Sequence, residues 1–213
     1  MQYKLIAAAV FAAAVTLPAL AAPIASIVAP EGVVDFAAYD GFVTSGPETV
    51  ALGVTFGASV DSTLGAFIAE LEANGTWGAD KVFAALGSFG ALPEAGSMSF
   101  TFDAPVAQVG AFINAFFPFA PPAPAAIEIA VLDELGTVLE SHIVPVFTPG
   151  GFNEGAFAGI ARSAAEIKTF RVSGFGVVLD DVSFKTSVPA PGVAALLIAA
   201  LIGAGAMRRR SAG

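Results

Sequence analysis

Few side chains in this chain could carry out catalysis. His142 is the only histidine and lies in a strand-like run, cysteine is absent, and there is no Gly-x-Ser-x-Gly motif, so the usual activated nucleophiles are missing. Carboxylate pairs occur at Asp133–Glu134 and at Glu70 and Glu72, and glycoside hydrolysis uses two carboxylates. In an acidic chain, however, such pairs are typical of solvated turns. We therefore interpret the protein as a non-enzyme, with a secreted hydrolase acting on polysaccharide through Asp/Glu pairs as the alternative.

One carboxylate is expected among apolar side chains, in GFGVVLDDVSF at residues 174–184. Strand alternation divides this segment into two faces, with Val178, Asp180, Val182 and Phe184 on one and Val177, Leu179, Asp181 and Ser183 on the other. A buried carboxylate is costly unless backbone donors or a cation compensate it. Two interpretations stay open. Asp180 accepts hydrogen bonds from a neighbouring loop, or it binds a structural Ca²⁺ ion with Asp35 as second ligand; no other cofactor is predicted.

Composition restricts the class of partner. The chain has 213 residues, 18 of them acidic and 9 basic, for a formal net charge of -9. Lys4 and the arginines at 208–210 lie near the two ends, so the middle of the chain is more acidic still. Phosphate binding needs clustered lysine and arginine, and we therefore predict no nucleic-acid partner. Since disulfides are impossible without cysteine, burial and hydrogen bonds must hold the domain together.

Short runs of alternating apolar and polar residues predict β-strands between glycine- and proline-containing turns. SMSFTF places Met98, Phe100 and Phe102 on one face. AIEIAVLD places Ile127, Ile129 and Val131 on one face, and the ELG turn that follows leads into TVLESHIVPVF, which predicts a hairpin. Pro145 should then lie on an edge strand or at a strand end.

Five further strands are predicted, at VVDF from Val33, VALGVTF from Val50, VAQVGAFINAFF from Val106, IKTFRVSGF from Ile167 and VVLDDVSF from Val177. The fold class is therefore mainly β, a single antiparallel, jelly-roll-like β-sandwich over residues 22–187. A short helical insertion is predicted in DSTLGAFIAELEANG, where Leu64, Phe67, Ile68 and Leu71 recur at helical spacing behind Ser62, with a second turn at ADKVFAALG.

Aromatic composition bears on sugar binding. Nineteen phenylalanines stand against one tryptophan and two tyrosines, which indicates that most aromatic rings belong to the core. Trp77 and Tyr39 are the two candidates for an exposed ring that stacks on a sugar, and ordinary packing is the alternative for each.

The N-terminal segment has the layout of an export signal. Lys4 precedes an apolar run over 5–17, and Ala19-Leu20-Ala21 fits the small-x-small cleavage rule. We predict a helical signal peptide over residues 1–21, with cleavage between Ala21 and Ala22. An uncleaved anchor helix is the alternative.

The C-terminal segment, residues 188–213, has three ordered parts. They are Val188-Pro189-Ala190-Pro191-Gly192, an uncharged apolar stretch over 193–207, and the basic group Arg208, Arg209 and Arg210. The stretch predicts a transmembrane helix with the arginines on the cytoplasmic side. About 15 residues at ~1.5 Å each reach only ~22 Å of a ~30 Å hydrocarbon core. Such marginal insertion suits a segment that is later removed, and a permanent anchor is the alternative.

This tail resembles the PEP-CTERM sorting signal of Gram-negative bacteria, in its Val-Pro-Ala-Pro-Gly variant with Ala190 in place of the commoner glutamate. The body is similar to the sandwich domains of such proteins at MSFTFDAPVAQVGAFI and GVVLDDVSF. The resemblance implies export through the inner membrane, processing by an exosortase-like enzyme, and a transient or permanent membrane anchor. It also implies association with the cell surface or, outside the cell, with an exopolysaccharide matrix. Jelly-roll sandwiches often bind glycans, so fold analogy alone predicts a structural or glycan-binding role in exopolysaccharide or biofilm.

Overall fold

The computed structural model describes residues 22–66, 69–78, 83–87, 94–116 and 125–187. These residues form sixteen β-strands and no helix. The strands are β1 (Gly32–Val34), β2 (Phe42–Thr44), β3 (Glu48–Ala51), β4 (Val54–Ala58), β5 (Ser62–Ala66), β6 (Ala69–Glu70), β7 (Thr76–Trp77), β8 (Phe83–Leu86), β9 (Ala95–Val106), β10 (Gln108–Ala115), β11 (Ala125–Leu132), β12 (Val138–Val146), β13 (Phe152–Asn153), β14 (Ala156–Ala161), β15 (Ile167–Phe175) and β16 (Val177–Lys185).

Two antiparallel sheets face each other, as in a β-sandwich. The seven-stranded sheet has the order β14-β10-β16-β8-β5-β2, with β1 also paired to β16, and the six-stranded sheet has the order β12-β11-β15-β9-β4-β3. Both contribute to one core, in which Phe36, Phe56, Phe100 and Phe170 are at most 1% exposed. The mainly β prediction is therefore confirmed.

A third, three-stranded sheet of order β13-β7-β6 lies outside this pair. Trp77 of β7 is fully buried with Leu71, Ala66 and Val178 in a second, smaller core. Since Val178 belongs to β16, this core joins the small sheet to the outer face of the seven-stranded sheet.

Alternation identifies the longest strands correctly. Met98, Phe100 and Phe102 are at most 1% exposed on β9, and the polar residues between them lie on the other face. There Thr49, Thr55, Thr101 and Thr169 occupy paired positions across four strands, a placement that suits β-branched residues on a pleated surface. The β11–β12 hairpin is confirmed.

Pro145 lies in β12, the edge strand of the six-stranded sheet, as predicted. Proline cannot donate a backbone hydrogen bond, and an edge strand needs donors on one side only.

The predicted helical insertion is wrong. Residues 62–66 form β5 and residues 83–86 form β8, neighbouring strands of the seven-stranded sheet. Gly65 has φ of 78°, outside the helical region, and a Cβ there would lie 2.3 Å from the Tyr39 carbonyl oxygen. All five residues of β5 are buried, because one face of the strand packs on the main core and the other on the smaller core. The sequence therefore shows no alternation of apolar and polar residues that would indicate a strand here.

The single strand predicted over VALGVTF is also wrong. The segment is a hairpin in which β3 and β4 pair around Leu52 and Gly53, and Gly53 has φ of 75°, the left-handed conformation that glycine adopts readily in tight turns.

At two points the chain passes from a strand of one sheet directly into a strand of the other. Only Ala107 separates β9 from β10, and only Gly176 separates β15 from β16. Gly176 has φ of 59°, so the chain turns there in a conformation that L side chains rarely adopt. The two sheets are thus joined directly through continuous backbone.

Candidate functional site

Asp180, the predicted carboxylate, lies in β16 opposite Phe112 of β10 and is 4% exposed. Its burial agrees with the prediction, but two of the residues predicted to share its face lie on the other face. Asp181, with φ of 50°, sits at a bulge in the β10–β16 pairing, which reverses alternation beyond it. Val182 therefore joins Leu179 in the main core rather than sharing a face with Asp180.

Phe184 follows Val182 to that same core face. Its ring lies 5.0 Å from Phe102, which belongs to the main core. The predicted grouping of Phe184 with Asp180 is therefore wrong for the same reason.

Asp35, the predicted second ligand, follows β1 directly and is exposed. Its carboxylate accepts a hydrogen bond from the backbone N–H of Ala37 at 3.1 Å, which makes it part of a local turn. Among the described residues, no group of three or more His, Asp or Glu side chains is placed to hold a metal ion. The Asp180–Asp35 Ca²⁺ site stays a prediction.

His142 belongs to the most concentrated group of charged side chains in the described part of the chain. His142 and Glu140 of β12 lie 2.7 Å apart, and Arg162, just beyond β14, donates to Glu140 at 2.7 Å and to Glu166 at 2.8 Å. The hydrogen bonds that Arg162 donates to Glu140 and, as the second cause, to Glu166 raise the pKa of Arg162. Every carboxylate in this group is engaged by a cation or by histidine, so the arrangement holds the strand ends together and presents no activated nucleophile.

Replacing Glu140 with glutamine should lower the free energy of unfolding by about 1.5 kcal/mol, because the largely buried side chain loses its charge and keeps only one acceptor oxygen for its two partners. Glu166→Gln is the matched control, since Glu166 is more exposed and such exposed pairs contribute about 0.5 kcal/mol. Urea denaturation of the two variants measures the difference. A loss for Glu140→Gln no larger than that of the control would contradict the structural role.

In each carboxylate pair weighed for hydrolysis, one member has a structural partner. Asp133 accepts from the backbone N–H groups of Leu135 and Thr137 at 2.9 and 2.8 Å and closes the β11–β12 turn. Glu70 accepts from the Thr76 hydroxyl at 3.2 Å between β6 and β7. Glu72 lies in that turn with φ of 55°. The Asp133 contacts are those of a turn residue, and the Glu70 contact joins two paired strands.

The two ends of the described domain are held together. Glu31, just before β1, accepts hydrogen bonds from the backbone N–H of Thr186 at 3.0 Å and from its hydroxyl. Lys185 donates to the Val28 carbonyl at 3.1 Å. These two contacts fasten the end of β16 next to the chain that enters β1.

The Glu31 contact depends on pH. The hydrogen bonds from Thr186 lower the pKa of Glu31 below its ordinary value of 4.5. Because the folded-state pKa is lowered, the stabilising contribution is fully present above that value and is lost as the pH falls through the lowered pKa.

A buried amide network, which the sequence did not reveal, fastens the small sheet to the sandwich. Asn114 of β10 donates to Thr148 at 2.9 Å and to Asn153 at 2.6 Å, and its side-chain oxygen accepts from the Ala115 N–H at 2.8 Å. Asn74 donates to the Ala115 carbonyl at 2.8 Å and accepts from the Thr148 N–H at 3.2 Å. No spacing rule signals it, since its members come from three separate segments.

The two candidate sugar stackers differ in position. Trp77 is fully buried and cannot contact a polysaccharide in the folded protein. Tyr39 is half-buried and lies beside Phe42, which is 48% exposed. Sequence reasoning missed Phe42, because a lone phenylalanine in a core-forming composition carries no surface signal.

The sorting motif Val188–Gly192, the apolar stretch 193–207, Arg208–Arg210 and Ala21 lie outside the described residues. Within the described residues, no helix is long and apolar enough to span a membrane. Ala22 is described and exposed. Two residues further on, Ile24 exchanges backbone hydrogen bonds of 2.8 and 3.0 Å with Gly159 of β14.

No protein-family model matches this chain, and no curated protein matches its sequence.

Proposed function

We propose that this chain is an exported protein of a Gram-negative bacterium that an exosortase-like enzyme processes at its C-terminus. After processing it serves at the cell surface or in the extracellular matrix, as a structural or glycan-binding module of exopolysaccharide or biofilm. We further propose that its sandwich is jelly-roll-like, because the chain passes repeatedly from one of two facing sheets to the other. The inner membrane holds the protein transiently during this process.

The observation that carries the proposal is the C-terminal order of Val-Pro-Ala-Pro-Gly, apolar stretch and three arginines, in a chain that opens with an export signal layout. The fold is compatible with it. The contacts of Glu31 with Thr186 and of Lys185 with Val28 bring the chain before β1 to the end of β16. A signal peptide and a membrane segment attached there would both leave the domain at one end.

Intact mass spectrometry of the protein recovered from the bacterium that produces it tests both cuts. The expected species begins at Ala22 and lacks Arg208, Arg209 and Arg210. The exosortase-like step requires its motif, so a Pro189→Ala, Pro191→Ala variant should accumulate with the arginines still attached. If the unaltered mature protein retained the arginines, a permanent anchor would replace the sorting signal as the explanation.

A further inference from the structure

The rings of Tyr39 and Phe42 lie together near β2 and β3, which are edge strands of the two sheets. Phe42 begins β2, the edge strand of the seven-stranded sheet, and is 48% exposed. The centroid of the Tyr39 ring lies 6.4 Å away, and the ring planes differ by 25°. Two nearly parallel rings, one of them well exposed, thus form an apolar surface patch.

The position of Tyr39 is fixed from two sides. Its hydroxyl donates to the Thr49 carbonyl of β3 at 3.0 Å, and its backbone N–H donates to the Phe36 carbonyl at 3.0 Å. Gly65 leaves room for the Tyr39 backbone and Cβ, which would lie 2.3 to 2.7 Å from a Cβ at that position. The aromatic pair is therefore organised before any ligand arrives, which lowers the entropy lost on binding.

The strands beside the pair come from an acidic stretch of the sequence. The two outermost strands of each sheet at this end, β2 and β5 in one and β3 and β4 in the other, lie within residues 22–78. That span contains seven Asp and Glu residues and no Lys or Arg. Asp40 follows Tyr39 directly in the chain and is exposed. Burial is the first cause that raises the pKa of Tyr39, and the Glu48 carboxylate is the second.

We propose that this aromatic and acidic surface, formed by Tyr39, Phe42, Asp40 and Glu48, binds a polysaccharide of amino sugars whose amino groups are not acetylated. Such groups are protonated in mildly acidic solution, where binding is to be measured, and ammonium ions are attracted both to aromatic faces and to carboxylates. The apolar face of each sugar ring supplies a surface that packs on Phe42. An anionic polysaccharide is repelled by the same carboxylates. The inference deepens the proposed matrix role and rests on it.

Binding of the full-length protein to soluble glucosamine oligomers tests this assignment, with N-acetylglucosamine oligomers, uronic acid oligomers and polylysine as comparison probes. The glucosamine oligomer should bind at least about tenfold more tightly than its acetylated counterpart, and the uronic acid oligomer should not bind. Phe42→Ala should weaken glucosamine binding about tenfold. Phe147→Ala is the matched control, because Phe147 is also 48% exposed, and its affinity should be unchanged.

Asp40→Asn separates the charge contribution from the aromatic one. It should weaken glucosamine binding and reduce its salt dependence, while leaving any affinity for the acetylated oligomer unchanged. Equal affinities of the wild type and Phe42→Ala would overturn the assignment. Tighter binding of polylysine than of glucosamine oligomers would also overturn it, in favour of a basic protein partner.

The binding experiment and the mass measurement of the C-terminus can fail independently of each other. If the C-terminal segment is removed in the host but glucosamine oligomers do not bind, the ligand assignment fails and the sorting proposal stands. If the oligomers bind and the arginines stay attached, the sorting proposal fails and the binding surface stands.

Discussion

Replacing Phe100 with alanine should lower the free energy of unfolding by about 4 kcal/mol, because a buried phenylalanine ring is lost and the cavity can close only in part. Phe100 is fully buried on β9, and its ring lies 5.6 Å from that of Phe56 and 6.1 Å from that of Phe36. It contacts rings that belong to the six-stranded sheet and to the chain after β1. The loss should therefore affect the whole sandwich.

Urea denaturation measures this effect, with Phe152→Ala as the matched control. Phe152 is 65% exposed on the small sheet, and surface substitutions usually change stability by less than about 0.5 kcal/mol. The shared core of the two sheets predicts one cooperative transition for the wild type. Similar losses for the two variants would contradict the position of Phe100 at the centre of that core.

Asn114→Ala should destabilise the protein by about 3 kcal/mol, because it removes three hydrogen bonds from this network at a fully buried position. Thr148→Val should cost about 1.5 kcal/mol, since one hydroxyl is lost from the same network. The double variant should lose less than the sum of the two, because the shared Asn114–Thr148 bond can be removed only once.

A double-mutant cycle by urea denaturation measures this coupling. Strict additivity would show that Asn114 and Thr148 act independently. That result would contradict the network as the connection between the loop before β13 and β10. Near-ultraviolet circular dichroism adds a second readout, because Trp77 packs in the smaller core beneath this network and should report any loosening of the small sheet.

Alternation predicts a strand where one face is buried and the other is solvated. It succeeds on β9, where Met98, Phe100 and Phe102 face the core, and on the β11–β12 hairpin, where Pro145 lies at an edge. It fails on β5, because both faces of that strand are covered. Leu64 and Leu71 fall at helical spacing, although Leu64 of β5 lies in the main core and Leu71, beyond β6, lies in the smaller one. Two-sided burial is a property of the assembled fold that local spacing does not record.

The candidate sites divide in the same way. Alternation places Asp180 on the same face as Val178, because no irregularity separates the two. The burial of that face comes from the smaller core, to which Val178 belongs. The bulge at Asp181 was not predicted, since the left-handed conformation there belongs to an aspartate rather than to a glycine. The Asn114 network and the Tyr39–Phe42 pair depend on contacts between distant segments, and neither has a sequence pattern.

The position of β16 within its sheet has a mechanical consequence. This last strand is paired with β10 on one side and with β8 and β1 on the other, so tension on the chain beyond Ser187 enters the sheet through an interior strand. Pulling such a strand along its own axis loads the hydrogen bonds to all three neighbours at once, in shear. An edge strand would instead peel away one bond at a time. A domain tethered by its C-terminus would therefore carry drag forces on a strand that is bonded to three neighbours.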